Sequence, residues 1–219
     1  MRRDLFSGFI CLWILSFNAA SALAAVGCTL NDPDRDIKRL FPKSTGYKTE
    51  FIVIKDRGGD ALMKELAEKL GDALDPTYES ATVEHAYYIV LKGTEIIGRV
   101  NGLTQKGVFG GMQFIIAYDP DGKILNAYFQ KLSSPDAKKF RSEEFTKQFV
   151  GLTLEDFYIH KFKKGSQEDR VEKIKNPSQE QIKDYYNTLR AVMRNLIQMD
   201  MFYLNRKSDA VYKKLKGGK

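Results

Sequence analysis

The amino-acid sequence predicts an α+β protein, an antiparallel sheet with flanking helices. Strand-like segments rich in β-branched and aromatic residues follow one another between residues 86 and 129. A long amphipathic helix comes near the C terminus, with apolar residues three or four positions apart from Ile182 to Leu204. The chain lacks the repeated strand–helix–strand alternation that is typical of a parallel sheet, so these elements favour α+β.

The first half of the domain contains short elements with clear boundaries. We expect a short helix at 36–41, which Phe41-Pro42 ends, and a strand at 51–54. Asp60 is the predicted N-cap of a helix that runs to about Leu74, with its apolar residues at helical spacing. Two strands follow at 86–91 and 94–100, joined by the hairpin-type turn Lys92-Gly93.

The segment 108–131 predicts the hairpin around which the sheet is built. Its strands FIIAY and KILNAYF are separated by DPDG, in which Pro120 presets φ, Asp121 can bond its own backbone and Gly122 supplies a positive φ. We expect this hairpin at the centre of the sheet. The glycine pair Gly110-Gly111 before it is either a simple bend or a place where a ligand approaches the backbone.

The second half of the chain predicts helices and one polar connector. A helix should start at Ser134 or Asp136 and run to about Val150, and a short helix or turn should follow at 152–157. Residues 161–176 are polar and charged, which indicates an exposed connector. Ser178 and Gln181 form a predicted capping box for the C-terminal helix, and the basic residues 206–219 form a predicted solvated tail.

The N terminus predicts export. Arg2 and Arg3 precede an apolar run at 5–17 and then a stretch of small residues, which is the organisation of a secretory signal. Ala25-Val26-Gly27-Cys28 resembles a bacterial lipobox, so we expect a lipoprotein-type signal at 1–27 and lipidation of Cys28. The alternative is ordinary cleavage after Ala22-Leu23-Ala24, which would release a free secreted protein.

These boundaries predict four regions and a place in the cell. They are the signal peptide at 1–27, an N-terminal segment at 28–50, the α+β domain at 51–205 and the basic tail at 206–219. The residue after the cysteine is Thr29 rather than aspartate, which favours an outer-membrane or periplasm-facing lipoprotein in the cell envelope.

Composition and motifs argue against several functions. The formal charge of +7 comes from basic residues mixed with 28 acids, which indicates a lysine-rich soluble surface rather than a nucleic-acid interface. His85 and His160 have no acids or cysteines nearby at ligand spacing, so no metal site is expected. The sequence has no nucleophile elbow, phosphate loop or dinucleotide-binding fingerprint, and no catalytic residue is predicted.

Four motifs in order resemble a known family. They are Gly107-Val108-Phe109-Gly110-Gly111, Asp121-Gly122-Lys123-Ile124, Ser133-Ser134-Pro135 and the Phe-x-x-Gln-Phe-x-Gly segment from Phe145 to Gly151. This set is similar to the FMN-binding domain of the G subunit of Rnf electron-transport complexes and of the C subunit of sodium-pumping NADH:quinone oxidoreductase. The resemblance implies an FMN-binding-domain fold and membrane redox or transport complexes as partners.

The resemblance also implies a cofactor and a site. Family members with covalent flavin carry Ser-Gly-Ala-Thr, but the corresponding residues 174–181 read IKNPSQEQ, so FMN would be held non-covalently. The flavin ring would lie against Phe109, Gly110 and Gly111. The phosphate would meet Ser133, Ser134 and Lys138 or Lys139, although Asp136 would compete with it. The implied function is an electron-transfer or redox accessory protein. The alternative is a cofactor-free envelope lipoprotein that keeps the fold and acts as a binding or assembly component.

Overall fold

The structure is a computed structural model that describes residues 27–218. The predicted signal peptide, apart from Gly27, lies outside these residues. The strands are β1 (Gly46–Val53), β2 (Glu84–Lys92), β3 (Glu95–Gly107), β4 (Gly110–Tyr118) and β5 (Ile124–Lys131). The helices are α1 (Pro33–Leu40), α2 (Ile54–Arg57), α3 (Gly59–Leu70), α4 (Ala137–Phe140), α5 (Glu143–Thr146), α6 (Leu154–Phe162), α7 (Ile182–Tyr203) and α8 (Asp209–Gly217), with a 3-10 turn at Lys147–Phe149 after α5.

The five strands form one antiparallel sheet in the order β1-β2-β3-β4-β5. The predicted α+β class is therefore confirmed. The prediction that the 108–131 hairpin lies at the centre is wrong, because β5 is an edge strand and β3 is central. The sheet is a simple meander, so each strand pairs with its neighbours in sequence, and Gly107–Gly110 is the turn of a second hairpin between β3 and β4.

Both faces of the sheet are covered, because alternate side chains of each strand point to opposite sides. One face packs against the helices and carries the larger core, which includes Tyr87, Phe114, Ile116 and Tyr118 from the strands. The other face is covered by the N-terminal segment through Cys28, Leu30, Ile37 and Phe41, against Ala86, Tyr88, Val90, Val100, Ile115 and Ala117. The segment before residue 51 thus belongs to the same folded unit, and the predicted boundary at 51 falls inside β1.

The predicted helix from Ser134 or Asp136 to Val150 is wrong, because the chain there is broken into α4, α5 and the 3-10 turn. Ser142 caps α5 by accepting a hydrogen bond from the amide of Phe145. The break lets Phe140, Phe145 and Phe149 all enter the core, where successive rings pack edge to face at 5.5 and 5.4 Å. Asp60 is also not an N-cap, since α3 begins at Gly59 after Gly58.

Two segments predicted to be solvated are packed instead. In the connector 161–176, Asp169, Val171 and Ile174 are buried. The basic tail contains α8, which buries Tyr212 against the ring of Tyr158 at 5.0 Å between centroids. Tyr212, together with the partly buried Leu215 and the ion pair between Asp209 and Lys69, docks this helix, which the basic composition did not indicate.

The C-terminal helix α7 is confirmed, but it begins at Ile182 rather than after Ser178. The Ser178 hydroxyl accepts a hydrogen bond from the amide of Gln181 within a turn that precedes the helix. The predicted apolar stripe is buried for its central residues, whereas Ile182 is exposed. The helix also buries polar residues, namely Asp184, Thr188, Arg194, Asn195, Gln198 and Asp200, because other elements cover several of its sides.

Candidate functional site

The β3–β4 turn is the first part of the predicted site. Gly110 has φ of +121°, a conformation that favours glycine, so its place in the turn is structural. The amide of Val108 donates to Oδ1 of the buried Asp184 at 2.9 Å, which ties the turn to the start of α7. The side chains of Val108 and Phe109 are about half exposed.

Gly111 lies directly under an aromatic ring of the chain itself. A methyl group at Gly111 would lie 3.1 Å from Cε1 of Tyr78 and 3.2 Å from Cγ2 of Thr104. The sequence left two alternatives open here, a bend or the approach of a ligand, and the close approach seen at this glycine comes from within the chain. The group that makes use of it is Tyr78, so this face of the backbone is already covered.

The β5–α4 loop is the second part of the predicted site. Ser133 is exposed, whereas the buried Oγ of Ser134 has no hydrogen-bond partner among residues 27–218. The carboxylate of Asp136 accepts a hydrogen bond from the hydroxyl of Ser178 and pairs with Lys139 at 3.0 Å. These hydrogen bonds lower the pKa of Asp136. Ser178 is buried, and its hydroxyl is engaged by this contact with Asp136.

A groove of about 460 Å³, which we call the lysine groove, lies between α4, α5 and the segment before α7. Its cations are Lys138, Lys139 and Lys175, and Glu144 is the acid among its lining residues. The remaining lining residues are Gln148, Asn176, Ser142, Phe145 and Pro177. Both ends of the Gln148 amide are hydrogen-bonded to the backbone of Lys175. Such a mixture suits an anionic ligand with a flat apolar part.

A second groove of about 700 Å³, the hairpin groove, lies beside the β3–β4 turn. Its apolar lining residues include Val108, Leu74 and Tyr186. Its charged lining residues are Lys106, Lys183, Arg190, Asp72 and Asp75. The ring of Tyr186 lies 5.3 Å from that of Tyr185, which in turn lies 6.3 Å from Phe145 of the lysine groove. The two grooves therefore flank the start of α7.

Neither groove gathers the six predicted cofactor residues. Lys138 lines the lysine groove, but neither groove is lined by Phe109, Gly110, Gly111, Ser133 or Ser134. Sequence reasoning missed Lys175, Phe145 and Gln148 as groove residues. Phe145 and Gln148 stand in the Phe-x-x-Gln-Phe-x-Gly motif, so the signal for them was present. Lys175 stands in the segment 174–181, which was compared only with the covalent attachment motif.

Cys28 is only 2% exposed, and its sulfur packs against Gly102, where an added methyl group would lie 2.8 Å from Sγ. Burial raises the pKa of this thiol to about 12. Its backbone forms an isolated parallel bridge with His85. The N-terminal segment is thus an integrated part of the fold at the residue that was predicted to carry a lipid.

No acid was recognised at ligand spacing from His160 in the sequence, but the fold brings two acids to this histidine. Its Nδ1 is 3.0 Å from Oδ2 of Asp169 and 3.7 Å from Oε2 of Glu172. These acids follow the histidine by 9 and 12 residues, beyond the spacing at which one helix would bring ligands together. The loop between them folds back onto the end of α6.

Between residues 27 and 218, no helix has the length and apolar character needed to cross a membrane.

No protein-family profile matches the sequence, and no curated protein sequence matches it either. Among solved structures, the chain is similar to the crystal structure of NqrC from Shewanella oneidensis, with a TM-score of 0.47 and 14% sequence identity. The alignment covers 86% of this chain and 90% of that chain. No family assignment rests on a similarity at this level.

Proposed function

We propose that this protein binds FMN non-covalently in the lysine groove and acts as an electron-transfer or redox accessory component. The observation that carries the proposal is the convergence of two segments on one groove. Phe145 and Gln148 come from the motif that resembles the flavin domain, and 175–177 lie in the segment that replaces the covalent attachment motif. Lys138, which was predicted as a phosphate contact, lines the same groove.

The residues of the lysine groove fit the chemistry of FMN. Lys138, Lys139 and Lys175 supply positive charge for a phosphate dianion. The partly exposed Pro177 offers apolar surface to a planar ring, whereas Phe145 is only 1% exposed and packs mainly in the core. A volume of about 460 Å³ is within the usual range of small-molecule sites, roughly 300–1,000 Å³. Bound FMN would supply reversible electron transfer, while the protein positions the ring and limits its contact with water.

The direct test is to purify the mature chain from a flavin-replete host and record its visible spectrum before and after acid precipitation. We expect yellow protein whose colour is released into the acid supernatant. Colour that stays with the precipitate would show covalently attached flavin and would contradict non-covalent binding. Colourless protein that also fails to bind added FMN would refute the flavin proposal.

We predict that the double variant Lys138→Glu, Lys175→Glu binds FMN at least about tenfold more weakly, because each charge-assisted contact to phosphate contributes about 1.5–3 kcal/mol. Affinity is measured by quenching of flavin fluorescence. Riboflavin, which has no phosphate, should lose much less affinity in the same variant.

The matched control for that experiment is Lys43→Glu, Lys48→Glu, which makes the same change of charge near β1, at the opposite edge of the sheet from β5. This variant should bind FMN like the wild type. Equal weakening in both variants would mean that net charge, rather than the lysine groove, determines affinity.

A specific observation also favours the cofactor-free binding component as a second candidate function. Val108, Phe109, Ile182 and Tyr186 are each 45–53% exposed, and the first two lie on the turn that Asp184 ties to α7. Exposed apolar groups gathered at one end of a domain are typical of interaction surfaces. A photo-crosslinker at Phe109 should then capture an envelope partner, whereas one at Phe51, which is equally exposed on β1, should not.

We also propose export, and the burial of Cys28 supports the freely secreted form over the lipid-anchored form. A diacylglyceryl group on Sγ would require this segment to leave the sheet. The mass of the mature N-terminal peptide distinguishes the two forms. A peptide that begins at Ala25 and contains an unmodified Cys28 would support secretion, and a lipid-modified Cys28 at the first position would contradict it.

A further inference from the structure

His160, Asp169 and Glu172, which we call the His160 cluster, bring three metal-ligating side chains together at the end of α6. One ligand atom from each residue lies within 4.8 Å of the other two. The closest pairs are His160 Nδ1 to Asp169 Oδ2 at 3.0 Å and to Glu172 Oε2 at 3.7 Å. The cluster is separate from both grooves in its lining residues.

Asp169 is held rigidly at the centre of the cluster. Its side chain is fully buried, and its carboxylate accepts the amides of Gly165 at 2.9 Å and Glu172 at 3.0 Å. Gly165 has φ of +77°, which lets the loop after α6 turn back, and the buried Val171 anchors its far side. Backbone donors of this kind fix the orientation of a ligating carboxylate.

The spacing of the ligand atoms suits a small cation. A tetrahedral zinc ion with bonds of about 2.0–2.1 Å places neighbouring ligand atoms roughly 3.3 Å apart, and the two measured separations lie on either side of that value. One imidazole and two carboxylates are a ligand set that zinc accepts. The side chains of His160 and Glu172 are 22% and 49% exposed, which leaves access for the ion and for water.

Two features of the cluster compete with an ion. His160 Nδ1 is within hydrogen-bond distance of both Asp169 oxygens, an arrangement that by itself would latch the loop to α6. Lys164 Nζ lies 3.6 Å from Glu172 Oε2, but its side chain is 58% exposed and can turn into solvent. When Lys164 turns away, the carboxylates of Asp169 and Glu172 bring two negative charges next to the His160 imidazole. A divalent cation would balance these charges.

We propose that the His160 cluster binds one divalent cation of the zinc class through His160 Nδ1, one oxygen of Asp169 and one oxygen of Glu172, with water as the fourth ligand. The ion joins the end of α6 to the loop that follows it. This site does not depend on FMN, so a negative result for zinc would not affect the proposal for the lysine groove, and the reverse also holds.

The test is a zinc titration of the untagged, EDTA-treated chain by calorimetry, with Co²⁺ as a spectroscopic probe of coordination. We expect one site per chain, a higher melting temperature with zinc, and visible bands of low-symmetry Co²⁺. His160→Gln and Glu172→Gln should each weaken zinc binding at least tenfold. Asp169 is left unchanged, because its loss would also unfold the loop.

The matched control is Glu168→Gln, which removes the same charge from the same loop at a residue that pairs with Lys163 instead. It should bind zinc like the wild type. If the wild type binds no zinc, or if His160→Gln and Glu172→Gln bind it as tightly as Glu168→Gln does, the proposal is overturned and the cluster is a hydrogen-bonded latch.

Discussion

Glu79→Gln is expected to lower the free energy of unfolding by about 3–5 kcal/mol, because it leaves a buried arginine without its counter-charge. The side chains of Glu79 and Arg194 are each 1% exposed and form an ion pair. Arg190 adds a second cation, with Nη2 donating to Oε2 of Glu79 at 2.9 Å. The neutral amide keeps the volume of the side chain but not its charge, and urea unfolding monitored by circular dichroism measures the loss.

The control is Glu143→Gln, which breaks an ion pair with Lys147 between two largely exposed side chains. Exposed pairs contribute little to stability, so this variant should unfold like the wild type. Adding Arg194→Met to Glu79→Gln should recover part of the lost stability, because the unpaired cation is then gone. A Glu79→Gln protein as stable as Glu143→Gln would show that the buried pair contributes nothing.

The Glu79 pair also connects stability to the candidate site. Arg194 Nη2 donates to the carbonyl of Thr104 at 2.7 Å, and Arg190 Nη1 donates to Gln105 at 2.8 Å. Both contacts hold the end of β3 against α7, just before the β3–β4 turn. The neighbouring Tyr78 covers Gly111. Loss of Glu79 should therefore loosen the end of the domain that carries both grooves.

The elements that the sequence predicted well are those with a strong local signal. The DPDG hairpin and the long apolar periodicity of α7 both appear, because turn chemistry and helical spacing are properties of neighbouring residues. The helix predicted to reach Val150 fails because three phenylalanines must enter one core, a requirement set by distant strands. Tyr212 docks the basic tail for the same reason.

The candidate site was less predictable than the fold, because its groups meet only in three dimensions. Lys138 and Lys175 stand 37 positions apart and line one groove. Glu79 and Arg194 are separated by 115 residues. Charged residues on an amphipathic helix normally indicate its solvent face, so nothing in the sequence revealed that Arg194 is buried. The glycine pair left open a bend or the approach of a ligand, and it did not indicate that Tyr78 covers Gly111.

His85 should make the protein markedly less stable in mild acid. This histidine is 3% exposed, and burial lowers its pKa from 6.5 to about 4. Between these two values the unfolded chain binds a proton that the folded chain does not, so the free energy of unfolding falls as the pH falls. The fall attributable to His85 is about 2 kcal/mol from pH 7 to pH 5, and about 3 kcal/mol by pH 4.

The measurement is the free energy of unfolding of the wild type and of His85→Gln at several values between pH 7 and pH 5. Glutamine is polar and close in size but does not titrate in this range, so the difference between the two proteins isolates His85. The pKa values of Glu65, Asp75 and Asp136 are lowered in the folded chain, so the stability that these carboxylates contribute is lost only in more acidic solution. A difference that stays constant from pH 7 to pH 5 would show that His85 is protonated in the folded chain as readily as in the unfolded one. We expect the free energy of unfolding of the wild type to fall relative to that of His85→Gln as the pH falls. This result would locate the acid sensitivity at the contact between β2 and the N-terminal segment, where the backbone of Cys28 forms a bridge with His85.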